Sequence, residues 1–450
     1  MVKDFYTKKD IFAVAREEAE VSNILNNDAY KFYMLDFILA HPEYSDIEVE
    51  WKMTVRSKDV KTIDVIPKEQ LINQLKMTQN IAWVWDEDIE YLRSMTQKSW
   101  DLTFREETLE FLKNFKLSDF SVEDDWKGNY DIKFKGPWKN SMMWEIFGLK
   151  IINTLYLYNY IEKEKLSPEE FNKIIQITLS RLVKDIEIFK TEPDTVFSEF
   201  GTRRAMSTDF QRIVNWILEN ELPDQYLWTS NVLVAKEMWH PKAIWTNAHE
   251  LRMIPSALYD DPQDIINEMY EIDRKWQEHY PEMALLLPDT YWTSFYLKHA
   301  TDDIIVNHTW NRFDSKDPMD AIPEYIDWLL ENWQDPLTKS WIPSDWLNAQ
   351  KAVDITRKFK GKLWSLSYWI GTNFTNNTKW TWPRENEPHG PFWSFSVVIK
   401  PSKVKRPDWK WVSTVKLSDN PEKAVWDKQR VKKYIDIFWS EGSKDQEVLV

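Results

Sequence analysis

Seven polar turns hold most of the side chains in this sequence that could do chemistry. They read Phe200-Gly201-Thr202-Arg203-Arg204, Trp228-Thr229-Ser230-Asn231, Trp245-Thr246-Asn247-Ala248-His249-Glu250, Pro288-Asp289-Thr290, Arg312-Phe313-Asp314-Ser315-Lys316-Asp317, Ser344-Asp345 and Gly371-Thr372-Asn373. Together they offer guanidinium groups, carboxylates, hydroxyls and one imidazole. That set suits the handling of anions. Arg grips carboxylates and phosphates in a bidentate fork, Gly-Thr at a helix start presents backbone N–H groups, and carboxylates hold hydroxyls or a hydrated Mg2+. Taken singly, each piece has a plainer reading. Gly-Thr-Arg-Arg fits a helix start with solvated Arg, and Ser344-Asp345 fits a helix cap.

What positions these turns is a repeat of short apolar run, polar turn and helix, recurring near residues 196, 226, 243, 283, 304, 340 and 364. Strands alternating with helices predict a parallel sheet, whose ligands gather at the carboxyl ends of the strands. Seven or eight such units over this length point to a (β/α) barrel rather than an open doubly wound sheet. The expected class is α/β. Ahead of the barrel, a helical pattern at 28–41, an alternating strand at 47–55, helices near 68–77, 86–95 and 106–116, and a strand at 130–134 predict an α/β unit with an antiparallel sheet. Two long helices follow. The second opens at Ser167-Pro168-Glu169-Glu170, where a capping Ser, a first-turn Pro and a returning Glu make a capping box. The expected division is an extension over 1–22, read as a frayed leader, an N-terminal α/β domain over 23–140, the barrel over 141–390, and a C-terminal segment over 391–450 that packs back on the N-terminal domain.

Composition excludes several classes. A net charge of −15 argues against a nucleic-acid coat or an anionic membrane surface as partner. The absence of Cys removes thiolate chemistry and Cys-based zinc sites. No dedicated protein metal ligands are expected. The opening MVKDFYTKKD has no apolar core of a secretion signal, and no apolar stretch approaches the roughly 20 residues that cross a bilayer, so a cytoplasmic protein is expected. One imbalance stands out. The chain has 27 Trp and 8 Gly, where average usage gives about 31 Gly, and several Trp sit in turns that ordinarily require Gly. Either the active surface is paved with indole or these Trp stand where the organism places Gly, as a reassigned UGA codon written out as Trp would produce.

With Gly restored at 228, 245, 292, 310, 346 and 369, the turns resemble the nicotinate phosphoribosyltransferase family from about Asn27 onward. The pieces that carry the resemblance are Asn27-Asp28-Ala29-Tyr30-Lys31, Gly136-Pro137-Trp138 with Trp144-Glu145, Gly201-Thr202-Arg203-Arg204, Thr229-Ser230-Asn231, Ala248-His249-Glu250, Asp314-Ser315, Gly371-Thr372, and Lys416-Leu417-Ser418-Asp419-Asn420-Pro421. The resemblance implies an irregular type II phosphoribosyltransferase barrel with an N-terminal α/β domain joined by the C-terminal segment, working as a homodimer. It implies transfer of phosphoribose from phosphoribosyl pyrophosphate to nicotinate in NAD salvage, with Mg2+ and coupling to ATP hydrolysis. His249 is implied as the phosphorylated residue, with Glu250 and Asp314 beside it in the chemistry; a packed His donating to Glu250 is the competing reading. Arg312 is implied to hold the nicotinate carboxylate, Tyr30 to stack on the pyridine ring from the partner subunit, and Thr229 to hydrogen-bond near it. Gly371 and Thr372 are implied for the 5-phosphate, Arg203 for pyrophosphate, and Ser344, Asp345 and Asp314 for ribose hydroxyls or Mg2+. Lys316 departs from the family, which usually has Gly there. The rivals are nicotinamide phosphoribosyl transfer and a non-catalytic homologue whose site is blocked by genuine Trp.

Overall fold

The computed structural model describes residues 3–80, 85–97, 101–344, 347–384, 392, 395–419 and 427–438. The eleven strands run β1 Glu48–Val55, β2 Asp119–Asp124, β3 Tyr130–Pro137, β4 Val196–Glu199, β5 Tyr226–Thr229, β6 Leu285–Leu286, β7 Trp310–Phe313, β8 Ser340–Pro343, β9 Ser365–Ile370, β10 Val397–Lys405 and β11 Trp411–Ser413. They form two sheets. One is antiparallel, with order β11-β10-β1-β3-β2, and the other has order β5-β4-β9-β8-β7-β6 with every pairing parallel.

In β1 the alternation seen in the sequence places Val49, Trp51 and Met53 on one buried face, and the buried helix Trp144–Lys163 packs on the neighbouring strand β10 of the same sheet. The two approach closely at Gly148. A Cβ there would stand 2.6 Å from Ile399 Cδ1, so the residue type sets the helix-to-sheet distance. The C-terminal strand β10 pairs antiparallel with β1 from Val49↔Val404 to Val55↔Val397. That ladder ties chain ends some 340 residues apart into one sheet.

The parallel sheet follows the repeat, with two exceptions. The run near 304 is a helix, Asp302–Asn307, with Asp302 and Asp303 in its first turn. Acids there complement the helix dipole, and the strand comes after it at Trp310. The run near 243 is extended but forms no ladder. It spans the gap between the sheet's outer strands by single bonds, from Ile244 N–H to Thr229 O at 2.9 Å and from Asn247 Nδ2 to Leu285 O at 3.1 Å. This weak seam is what makes the barrel irregular.

The described residues of the extension, 3–22, are not a frayed leader. Ile11 and Phe12 are fully buried, and Ser207 Oγ, which caps the helix Thr208–Glu221, also donates to Ile11 O. Apolar side chains spaced among charges read as solvated in the sequence, but the segment lies across helices that supply its partners. The capping box is present as expected. Ser167 Oγ accepts from Glu170 N–H at 3.2 Å, and Glu170 Oε2 accepts from Ser167 N–H at 2.9 Å.

Candidate active site

Seven polar turns converge because parallel strands in register end at one rim. Arg312 closes β7, and its guanidinium is held from four sides. Nε donates to Ser344 Oγ at 2.9 Å, Nη1 to Thr246 Oγ1 and Asn247 O at 3.1 Å each, and Nη2 to Asp314 Oδ1 at 3.2 Å. Ser344 Oγ also donates to Asp314 Oδ1 at 3.0 Å. Two strand ends and the extended run near 243 therefore fix one cation, and its orientation is set before any ligand arrives.

Beside it lies a buried ionic group. His249 Nε2 is 3.0 Å from Asp289 Oδ1 and 2.9 Å from Lys416 Nζ. Both neighbours address the same nitrogen, so Nε2 either donates to the carboxylate or accepts from the ammonium. Burial, and then Lys416, push the imidazole down to about 3. It is neutral at physiological pH, with a lone pair available on one nitrogen. Burial works against the charge of Asp289, yet His249 and Lys416 hold it well below the usual carboxylate range, and Lys416 is the permanent cation of the group. Ser315 Oγ donates to Asp289 Oδ2 at 2.9 Å. Ligand atoms of His249, Asp289 and Asp314 lie within 4.8 Å of one another. Of this set the sequence offered only Asp314 toward Mg2+ and no dedicated metal site, but the set fits the ion: two carboxylates supply the hard oxygen donors that Mg2+ prefers beside phosphate oxygens.

Glu250 turns the other way. Its carboxylate meets Lys31 Nζ at 2.5 Å, and Lys31 also reaches Glu145 at 2.8 Å, which in turn receives Lys400 at 2.7 Å. Burial, with the Glu145 charge adding to it and Lys31 opposing, lifts Glu250 to about 7. The competing reading of His249, a packed side chain donating to Glu250 or backbone, does not hold: its ring contacts Asp289 and Lys416 instead. Consecutive residues at the start of the helix Glu250–Ser256 face two different clusters. Tyr30 lies at the edge of the second, its hydroxyl 3.4 Å from Glu145 Oε2. Arg203 joins the two clusters electrostatically. Despite burial, Tyr30, Glu145, Asp314 and Asp28 raise its pKa.

Thr229 does not face Arg312; its hydroxyl donates to buried Glu199 at 2.7 Å. Arg204 ties β10 to the rim through Val397 O at 3.0 Å. Gly371 opens the short helix Thr372–Thr375 directly against the turn after β4, where a Cβ would meet Phe200 O at 3.0 Å. Lys316 pairs with Glu324. Asp345 and Trp346 lie outside the described residues. Asp289 stood in the sequence as part of a turn without a role, and Lys416 as part of a motif. The apolar run Ala284–Leu287 just before Pro288-Asp289 was the available signal for the first.

Three indoles occupy the centre of the rim. Trp369 stacks on Phe200 at 4.3 Å between ring centroids, and the Arg312 guanidinium lies 5.1 Å from its ring. Trp245 and Trp310 pack against the same cluster, with Leu285 and Ile342.

Residues 195–440 match the Nicotinate phosphoribosyltransferase (NAPRTase) family, more than half of the chain, and residues 25–153 match the NAPRTase N-terminal domain. The chain belongs to the nicotinate phosphoribosyltransferase family. Three solved structures share its fold. The nicotinate phosphoribosyltransferase of Porphyromonas gingivalis is 23% identical with a TM-score of 0.77, covering 93% of this chain and 99% of that one. That of Vibrio cholerae is 23% identical at 0.79, covering 96% of each. A putative nicotinate phosphoribosyltransferase of Saccharomyces cerevisiae is 26% identical at 0.74, covering 94% and 99%. The two-sheet architecture is thus the type II phosphoribosyltransferase fold. Among the described residues, no helix is long and apolar enough to cross a membrane.

Proposed function

We propose that this chain is an ATP-coupled nicotinate phosphoribosyltransferase acting in NAD salvage, as a homodimer in the cytoplasm. The observation that carries the reading is the pairing of a preoriented guanidinium, Arg312, with the buried His249–Asp289–Lys416 group on one barrel rim in a member of this family. Four of the five guanidinium N–H groups are engaged by the protein, and the one that remains, carrying the positive charge, favours the carboxylate of nicotinate over the carboxamide of nicotinamide. The pyridine nitrogen attacks ribose C1 as the C1–O bond to pyrophosphate breaks, and the pyrophosphate leaves with that electron pair. The work of the rim is placement and neutralisation of the departing charge. Arg203 faces the pyrophosphate, Gly371 N–H and Thr372 take the 5-phosphate, and Ser344 with Asp345 receives the ribose hydroxyls. Thr229 supports the ring pocket through Glu199, and Tyr30 covers the ring in the neighbouring subunit. Mg2+, held by Asp314 and Asp289 together with phosphate oxygens, would offset the charge of the leaving group. In the coupling step, neutral His249 attacks the γ-phosphorus of ATP, an N–P bond forms and the P–O bond to ADP breaks. Glu250 anchors that histidine's backbone through Lys31.

The test is nicotinate-dependent pyrophosphate release with and without ATP, on the chain as written and on a version with Gly at 228, 245, 292, 310, 346 and 369. In the Gly version, His249→Ala should abolish the stimulation by ATP while retaining basal transfer; equal loss of both would remove the phosphohistidine assignment. Arg312→Lys should raise KM for nicotinate on the order of 10- to 100-fold, because an ammonium cannot be held in the orientation the four protein contacts give the guanidinium. The indoles over Arg312 favour a second reading for the chain as written, a homologue that binds no base there. Activity of the written chain would discard it.

A further inference from the structure

Among the described residues, seven of the ten non-glycine residues with positive φ are tryptophan: Trp126, Trp228, Trp239, Trp292, Trp333, Trp380 and Trp409, with φ between 58° and 76°. Trp makes up 27 of 450 residues, so random placement would put fewer than one in such positions. The left-handed region disfavours a bulky Cβ, and Gly enters it freely.

The local motifs are those that glycine serves. After the helix Val232–Glu237, Trp239 N–H donates to Lys236 O and His240 N–H to Ala235 O, both at 3.0 Å. This is the paired closure of a left-handed C-terminal cap, whose C′ residue is usually Gly. Trp333 repeats it after the helix Pro318–Glu331, with Trp333 N–H to Leu330 O at 3.1 Å and Gln334 N–H to Leu329 O at 2.8 Å. Between β10 and β11, Arg406-Pro407-Asp408-Trp409 closes with Trp409 N–H to Arg406 O at 2.9 Å, a turn in which Gly follows Pro-Asp. Trp228 sits where the β4–β5 register shifts by one residue. At five of the seven, all but Trp228 and Trp292, burial gives no reason for an indole either. Trp126 and Trp333 are each 95% exposed and Trp239 93%.

A second set of tryptophans behaves in the ordinary way. Trp51, Trp138, Trp144, Trp276 and Trp328 are buried at negative φ, and each indole N–H has an acceptor: Ser141 Oγ, Glu250 Oε1, Ser118 O, Met283 O and Leu297 O. Two codons would separate the sets. UGG gives the buried tryptophans, while UGA, written out as Trp but read as Gly by the organism, gives the others.

We infer that the natural polypeptide carries glycine at the seven positive-φ tryptophans and, extending the same codon to the three indoles crowded on Arg312 and Phe200 where the family resemblance asks for Gly, at Trp245, Trp310 and Trp369, so that its barrel centre is an open ligand chamber beside Arg312. Removing three indole side chains clears space on the scale of small-molecule pockets, about 300 Å³ or more. The side chains then facing the chamber, Arg312, Asp314, Ser344 and Phe200, suit a planar, anionic, phosphate-bearing ligand, and to that extent the chamber rests on the function proposed above. The glycine assignment at the seven positive-φ positions does not.

Peptide mass spectrometry on protein isolated from the source organism, read beside the gene, tests the assignment. Glycine mass with UGA at 239, 333, 369 and 409, and tryptophan mass with UGG at 51, 138, 144 and 276, is the expected result. Tryptophan mass at 239, 333 and 409 would overturn it. A second measurement compares the written chain, made recombinantly, with a version carrying Gly at the ten positions. The Gly protein should melt higher and bind phosphoribosyl pyrophosphate in calorimetry; an unchanged melting temperature would refute the strain argument. A Gly protein that melts higher yet releases no pyrophosphate with nicotinate keeps the glycine assignment and removes the proposed activity.

Discussion

The helix-and-sheet unit at the N-terminal side and the turns at the barrel rim use the same side chain in opposite ways. In the first, Trp51, Trp138 and Trp144 each fill volume between a strand and a helix, and each finds an acceptor for its N–H. In the second, Trp228, Trp292 and Trp369 sit in a bulge, a helix N-cap and a ligand rim. The first set answers the demands made of an indole, while the second sits where the backbone asks for no side chain. The type of a residue therefore says little until its φ and its N–H partner are known.

Stability measurements sharpen that contrast. Trp144→Ala should cost about 3–5 kcal/mol in denaturant unfolding, since a buried ring and its bond to Ser118 O are lost. A smaller cost would mean that the N-terminal core can collapse around the gap. The second effect is on pH. His249 and His308 are both buried and pushed down to about 3, each by burial and then by a nearby Lys, whereas an unfolded His protonates near 6.5. Between those values the unfolded chain binds more protons, so stability falls as pH drops from about 6.5 toward 3, by up to about 1.4 kcal/mol per pH unit per histidine. His308→Gln should remove one share of that slope in urea titrations at pH 6 and pH 4.5; an unaltered slope would mean that His308 is not held neutral. Next, Trp333→Gly and Trp409→Gly should each raise stability by about 1 kcal/mol by relieving left-handed strain, opposite in sign to Trp144→Ala. A loss at either position would break the contrast outright. The smallest effect belongs to neither set: Ser167→Ala should cost about 1 kcal/mol through the lost cap, a reference for how ordinary local chemistry registers in the same assay.

Much of this was legible in the sequence wherever the determinant is local. The Ser167–Glu170 capping box, the alternation of β1 and the short apolar runs that become parallel strands are written within a few residues of one another. So is the grouping of Arg312 with Asp314. What escaped depends on long-range closure. Lys416 reaches His249 across 167 positions, and no spacing rule brings them together before β10 is known to return to β1. Glu250 escaped for a different reason. Neighbours in sequence at a helix start point about 100° apart, so His249 and Glu250 could share a motif without sharing a site. β2 was missed because its residues are largely exposed and give little apolar alternation.

The ring of Lys31, Glu145, Glu250 and Lys400 has a consequence for how this protein can change over generations. Four ionisable side chains from four separate elements balance one another, Lys31, Glu145 and Glu250 out of reach of water and Lys400 at the edge. Altering any one of them strands an uncompensated charge, at roughly 3–5 kcal/mol, a large part of a domain's entire stability. Single substitutions at these positions therefore lead into unfolded chains, and lineages can cross only by paired replacement. The four residues should vary together or not at all, and in doing so they hold the helix that begins at His249 to a fixed place while the surfaces around it drift.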